Sequence, residues 1–171
     1  MMTRPRKDII NLNETCFYHV VSRCVRQKFL CGFDRSTNKC YEHRRKSIIN
    51  RIRLLSSVFS IDIGTYAVMS NHYHLVIKID PEAPKKWSKK EVIQRWTSIF
   101  SGSLLAQRFM KNEDLNVYEN IALADTVKIY RERLSDLGWF MKCLNQPIAR
   151  QANKEDGKKG HFWDARYTSE P

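Results

Sequence analysis

The stretch Tyr66-Ala67-Val68-Met69-Ser70-Asn71-His72-Tyr73-His74-Leu75-Val76-Ile77-Lys78-Ile79 constrains this chain more than any other. β-branched and aromatic residues run up to the turn formers Ser70-Asn71 and resume directly after them, which predicts a hairpin of two strands, about 61–69 and 72–79. Alternation then sends Tyr73, Leu75, Ile77 and Ile79 to one wholly apolar face that requires a core, and His72, His74, Val76 and Lys78 to the other. Imidazoles at i and i+2 of a strand point the same way and can converge on one ion, so His72 and His74 are candidate metal ligands. By spacing alone most such pairs are surface or partly satisfied histidines. What favours a site here is that two of the chain's five histidines open the strand with the clearest inside-outside pattern.

The 171 residues suit one domain with a real core. Lys and Arg number 30 against 18 Asp and Glu, a formal charge of +12, which points to a polyanionic partner. Nucleic acid leads and an anionic membrane surface comes second. The apolar runs are too short to span a bilayer and no signal segment opens the chain, so a soluble, cytoplasmic protein is expected. The five cysteines are odd in number and form no Cys-x-x-Cys pair, which reads as reduced thiols, Cys16 and Cys143 in the core. A zinc site using Cys31 or Cys40 with His43 is a weaker arrangement.

The first residues are polar and basic, and residues 1–15 read as a basic arm. A first strand is expected over Cys16 to Arg23, with Tyr18, Val20 and Ser22 opposite Phe17, His19, Val21 and Arg23. There His19 reads as a half-buried sheet residue that a neighbouring strand can bring near the pair. Ile48, Ile52, Leu55 and Phe59 recur at helical spacing, predicting a helix over Tyr41 to Phe59 whose arginines, including Arg44, face outward. After the hairpin, a lysine-rich linker leads to a helix from Ser88, which Gly102 ends or bends. One further helix is expected from about Asp125-Thr126, with Val127, Tyr130, Leu134, Leu137 and Met141 inward and Pro147 limiting its length.

The order strand, helix, strand, strand, helix is that of an α+β fold, a ferredoxin-like antiparallel sheet with helices on one face. Residues 16–110 are its expected core and residues 111–171 a helical extension ending in an aromatic and basic segment. That segment, Gly160-His161-Phe162-Trp163-Asp164-Ala165-Arg166-Tyr167, can stack bases and hold phosphates or pack on the core; composition leaves both open. The candidate DNA contacts are Arg23, Arg26, Lys28, Lys85, Lys86, Lys89, Lys90, His161, Phe162, Trp163 and Arg166.

Three separated motifs, Tyr18-His19-Val20-Val21-Ser22-Arg23, the hairpin from Tyr66 to Val76, and Gly160 to Tyr167, occur in an order that resembles the single-tyrosine HUH transposases of the insertion-sequence-200-like family. The first and last of these motifs are similar to the branch associated with repetitive extragenic palindromes. The resemblance covers the chain from about residue 16 onward. It implies cleavage and joining of single-stranded or hairpin DNA, with Mg²⁺ or Mn²⁺ held by His72 and His74 and a tyrosine that forms a 5′-phosphotyrosine. In the family the nucleophile and a further ligand lie on a helix beyond the Phe-Trp motif. Here the sequence stops at Pro171, so the expectation is a truncated transposase lacking that tyrosine, with Tyr167 a poor substitute. Ser70 stands where that turn commonly has proline. Two other classes stay open: a DNA-binding regulator derived from a transposase, without catalysis, and a metal-dependent nucleotide hydrolase. A homodimer is also open.

Overall fold

Alternation and helical spacing are realised in the computed structural model, which describes residues 10–25 and 29–171. Most of the expected basic arm, and the candidate contacts Arg26 and Lys28, lie outside the described residues. In chain order the elements are β1 (Phe17–Arg23), β2 (Phe33–Asp34), β3 (Lys39–Cys40), α1 (Glu42–Val58), β4 (Ile61–Val68), β5 (His72–Ile79), α2 (Ala83–Lys86), α3 (Lys89–Thr97), α4 (Leu104–Met110), α5 (Val117–Arg133), α6 (Leu137–Glu155) and β6 (Thr168–Glu170).

β4, β5, β1 and β6 lie side by side in that order as one antiparallel sheet, while β2 and β3 form a separate ribbon. With α1 crossing from β1 to β4 and α6 leading into β6, this is the β-α-β-β-α-β arrangement of a ferredoxin-like fold, α2 to α5 being inserted before the second crossover. The region read as a helical extension therefore also supplies the fourth strand. Thr168, Ser169 and Glu170 are too few and too polar to announce it.

The parity of the hairpin is as its sequence requires. Tyr73, Leu75, Ile77 and Ile79 are at most 1% exposed, and burying each contributes about 1.5–3 kcal/mol before chain entropy is counted. Tyr18, Val20 and Ser22 line the same face. α1 brings Ile48, Ile52, Leu55 and the following Phe59 into that core, and α6 packs beside α1.

Three expectations are corrected. Arg44 does not face solvent: it is 3% exposed, donating to Glu155 at 2.7 Å and Asp156 at 2.5 Å and to the Phe29 carbonyl, which ties α1 to the end of α6. The single late helix is two. Asn116 and Glu119 form a capping box that starts α5 at Val117, eight residues before the expected Asp125, and Asp136 caps α6 by accepting from the Trp139 N–H at 2.7 Å. Pro147 sits inside α6 instead of ending it. The Cys143 carbonyl, four residues back, loses its helical donor, and Arg51 of α1 supplies one through Nε at 3.0 Å.

The helix from Ser88 ends earlier than expected: α3 stops at Thr97, before Ile99 and Phe100, and Gly102 lies in the connection to α4 instead of terminating α3. Gly102 has φ +74, and a Cβ there would meet the Thr97 methyl at 3.0 Å, so α4 begins on a turn that glycine alone accommodates without strain. Among the described residues no helix is long and apolar enough to cross a membrane.

Candidate metal and nucleic-acid site

β5 presents its histidines because its other face is committed to the core. His72 and His74 stand half-buried on the sheet face away from α1 and α6, with their ring centroids 5.0 Å apart. Arg23 is the cross-strand partner of His72 and exposed on that same face; Val21 is the partner of His74. The sequence thus placed the pair and Arg23 separately, and the register joins them.

The turn that delivers His72 is held on several sides. The Asn71 carbonyl accepts from the Cys24 N–H at 2.8 Å, the Ser70 carbonyl from the Leu30 N–H at 2.6 Å, and the Cys31 thiol donates to the Met69 carbonyl at 3.0 Å. On the back of the sheet, the Tyr73 hydroxyl donates to Asn145 Oδ1 at 2.5 Å, and Asn145 Nδ2 donates to Ser22 Oγ at 3.0 Å. Burial pushes the Tyr73 phenol well above its usual range, so it remains a neutral donor. The residue between the histidines is an anchor to α6.

Hydrogen bonding fixes how the rings are used. His72 Nδ1 lies 2.6 Å from Asn71 Oδ1, which can only accept, so the proton is on Nδ1 and the Nε2 lone pair is free. Burial, then the Arg23 guanidinium and His74, lower the pKa of His72 below the ordinary histidine value and keep that lone pair available. His74 Nδ1 lies 2.8 Å from His19 Nε2. Both ligand candidates therefore have Nδ1 engaged in a hydrogen bond, and for His74 the position of the proton shared with His19 decides whether Nε2 carries a lone pair. Two imidazole donors fit a divalent transition ion such as Mn²⁺ better than Mg²⁺, which prefers oxygen, with water and phosphate oxygens filling the other positions. Among the described residues no group of three or more His, Cys, Asp or Glu is placed to hold a metal. The weaker Cys and His43 arrangement does not form: Cys31 is buried, Cys40 exposed, and His43 bonds Glu155 at 3.0 Å.

The aromatic and basic segment reaches the histidine end of the sheet. The Val25 N–H donates to the Phe162 carbonyl at 3.0 Å and the Asp164 N–H to the Arg23 carbonyl at 2.9 Å, while Trp163 bridges Cys24. Within it the readings divide by residue. Phe162 is corrected: at 2% exposure it packs in the core and has no face for a base. Trp163 is half-buried, edge-on to Tyr73, and donates through Nε1 to the Asn145 carbonyl at 2.9 Å. His161 and Arg166 are exposed and border an open groove of about 650 Å³ between this segment and Lys142 and Gln146 of α6.

Lys85, Lys86, Lys89 and Lys90 follow the far end of β5. At about 3.3 Å per residue β5 sets its far end, Ile79, about 20 Å from His72, and these lysines follow that end, on α2 and α3. Lys85 is paired with Glu82 at 2.6 Å. Tyr18 and Tyr73 are in the core, Tyr130 stacks on Trp96, and Tyr167 packs against the core. Sequence reasoning undervalued His19, whose face was predictable but whose neighbour was not, because register between β1 and β5 is not written in either strand alone.

Comparison with protein-family models, curated proteins and solved structures finds no match.

Proposed function

We propose that this chain provides the metal-binding and DNA-binding parts of a strand-cleaving and joining activity on single-stranded or hairpin DNA. The observation that carries this reading is that His72, His74 and Arg23 share the sheet face away from the core, with Nδ1 of both histidines engaged in hydrogen bonds. His72 and His74 would hold a divalent ion through Nε2. Bound there, such an ion supplies Lewis acidity to a scissile phosphate. Arg23 is placed to hold non-bridging phosphate oxygens by charge-assisted hydrogen bonds, and the +12 chain draws in the polyanion. The motifs that resemble the single-tyrosine transposases support the same chemistry: a tyrosine oxygen attacks phosphorus, the bond to the 3′-oxygen breaks, and that oxygen takes a proton.

A second reading has its own observation. The tyrosines of β1 and β5, Tyr18 and Tyr73, are buried on the opposite sheet face from the histidines, which suits a DNA-binding regulator without catalysis.

One experiment separates them: binding of a labelled hairpin oligonucleotide by wild type and by His72→Ala/His74→Ala, with and without Mn²⁺, across a salt series, followed by a denaturing gel. Expected are salt-sensitive binding by both proteins and a gain on adding Mn²⁺ of about tenfold in wild type alone. Equal Mn²⁺ response in both, or none, favours the regulator. Binding insensitive to salt overturns both readings. A covalent adduct absent from the double variant would place the nucleophile within these residues.

A further inference from the structure

His19 and His74 are diagonal neighbours across β1 and β5: the cross-strand partner of His19 is Val76 and that of His74 is Val21. Diagonal pairs on one sheet face are within reach of ring side chains. Their rings are nearly parallel, 6° apart, with centroids at 5.0 Å. Parallel planes at that separation admit an offset stack, but His19 Nε2 and His74 Nδ1 are only 2.8 Å apart. A centroid distance of 5.0 Å is what a bond of that length and two ring radii add up to. The rings are thus close to coplanar and joined edge to edge, the geometry of an N–H···N hydrogen bond.

Such a bond needs one proton between two nitrogens. If His19 Nε2 holds it, His74 accepts at Nδ1, carries its own proton on Nε2, and cannot bind an ion there. If His74 Nδ1 holds it, His74 Nε2 has a free lone pair. We infer that His19 is a positioning residue for the metal site: it accepts the N–H of His74 Nδ1, fixing both the plane of the His74 ring and the tautomer that coordinates through Nε2. This rests on the reading of His72 and His74 as ligands. His19 is not itself a ligand, because the nitrogen it turns toward the site is spent on His74. Asn71 does the same for His72 through its amide oxygen Oδ1, which accepts from Nδ1. Each candidate ligand therefore has one dedicated acceptor on its Nδ1, from the turn in one case and from the neighbouring strand in the other. An acceptor that holds a ligating histidine by its other ring nitrogen typically contributes about 10- to 100-fold in metal affinity.

The test uses two readouts. Imidazole ¹⁵N NMR of the protein, metal-free and with Zn²⁺ as a diamagnetic probe, should show a proton shared between His74 and His19 that resides on His74 Nδ1 once the ion is bound. Mn²⁺ titration followed by electron paramagnetic resonance should show binding weakened about tenfold in His19→Phe. In His19→Gln the amide oxygen can replace the acceptor, so affinity should stay within about threefold of wild type. Thermal unfolding of both variants checks the fold. His19→Phe binding Mn²⁺ as tightly as wild type, or a Zn²⁺-loaded protein with the proton on His74 Nε2, overturns the role of His19. A wild type that binds neither ion instead overturns the ligand reading itself, and the metal-free spectrum still reports whether the His19–His74 bond exists.

Discussion

The Tyr73 hydroxyl donates to Asn145 Oδ1 at 2.5 Å from directly behind the histidine pair, tying β5 to α6 through the core. Tyr73→Phe would leave the amide oxygen of Asn145 without that donor in a buried setting. The expected cost is about 1–2 kcal/mol of stability, read from denaturant midpoints. Because Asn145 also contacts Ser22 on β1, an Asn145→Ala change should cost more than Tyr73→Phe.

Arg51 substitutes for the donor that Pro147 lacks. Arg51→Met keeps much of the stem packing but strips the Cys143 carbonyl of its partner, and should destabilise by about 1 kcal/mol. In a Pro147→Ala background the helix recovers its own N–H, so the same Arg51 change should cost measurably less. A double-mutant cycle in urea checks this.

Acid should weaken the fold through its paired carboxylates. Glu119 is held below the usual carboxylate range by the Asn116 backbone N–H and by Arg108. For Glu155, burial pushes upward, but hydrogen bonds from Arg44, Gln151 and His43 outweigh it and leave it lowered. A lowered folded pKa means the stabilisation is complete above the unfolded value, about 4.3, and is lost as pH falls through the folded value. Denaturant midpoints should be flat from neutral pH to about 5 and fall below about 4, and Glu155→Gln should reduce that dependence.

The lysines after β5 and the arginine beside His72 should behave differently. Lys85→Ala/Lys86→Ala should lower oligonucleotide affinity and its salt dependence while leaving Mn²⁺ binding unchanged, since these residues follow the end of β5 opposite His72. Arg23→Ala should remove most of the gain that Mn²⁺ gives to oligonucleotide binding. Fluorescence anisotropy over a salt series separates the two.

Much of this fold was legible because one strand face had no choice. The parity of Tyr73, Leu75, Ile77 and Ile79 required a core on one side and so placed His72 and His74 on the other; the apolar spacing of α1 gave its inward face. What failed were features decided by contacts distant in sequence. Arg44 reads as a surface charge until Glu155 and Asp156 arrive from α6. Pro147 reads as a terminator until Arg51 replaces the lost donor. α5 exposes Val117, Tyr118 and Ile121, so hydrophobic spacing hid its first turns although the capping residues Asn116 and Glu119 marked them. His19 became part of the site only through the β1–β5 register.

The most direct test of the central claim is a Mn²⁺ titration of the purified chain by electron paramagnetic resonance, run with wild type and His72→Ala/His74→Ala. One tight equivalent of Mn²⁺ in wild type, competed only weakly by Mg²⁺ and absent from the folded double variant, is the predicted result. Indistinguishable Mn²⁺ binding by the two proteins would contradict it.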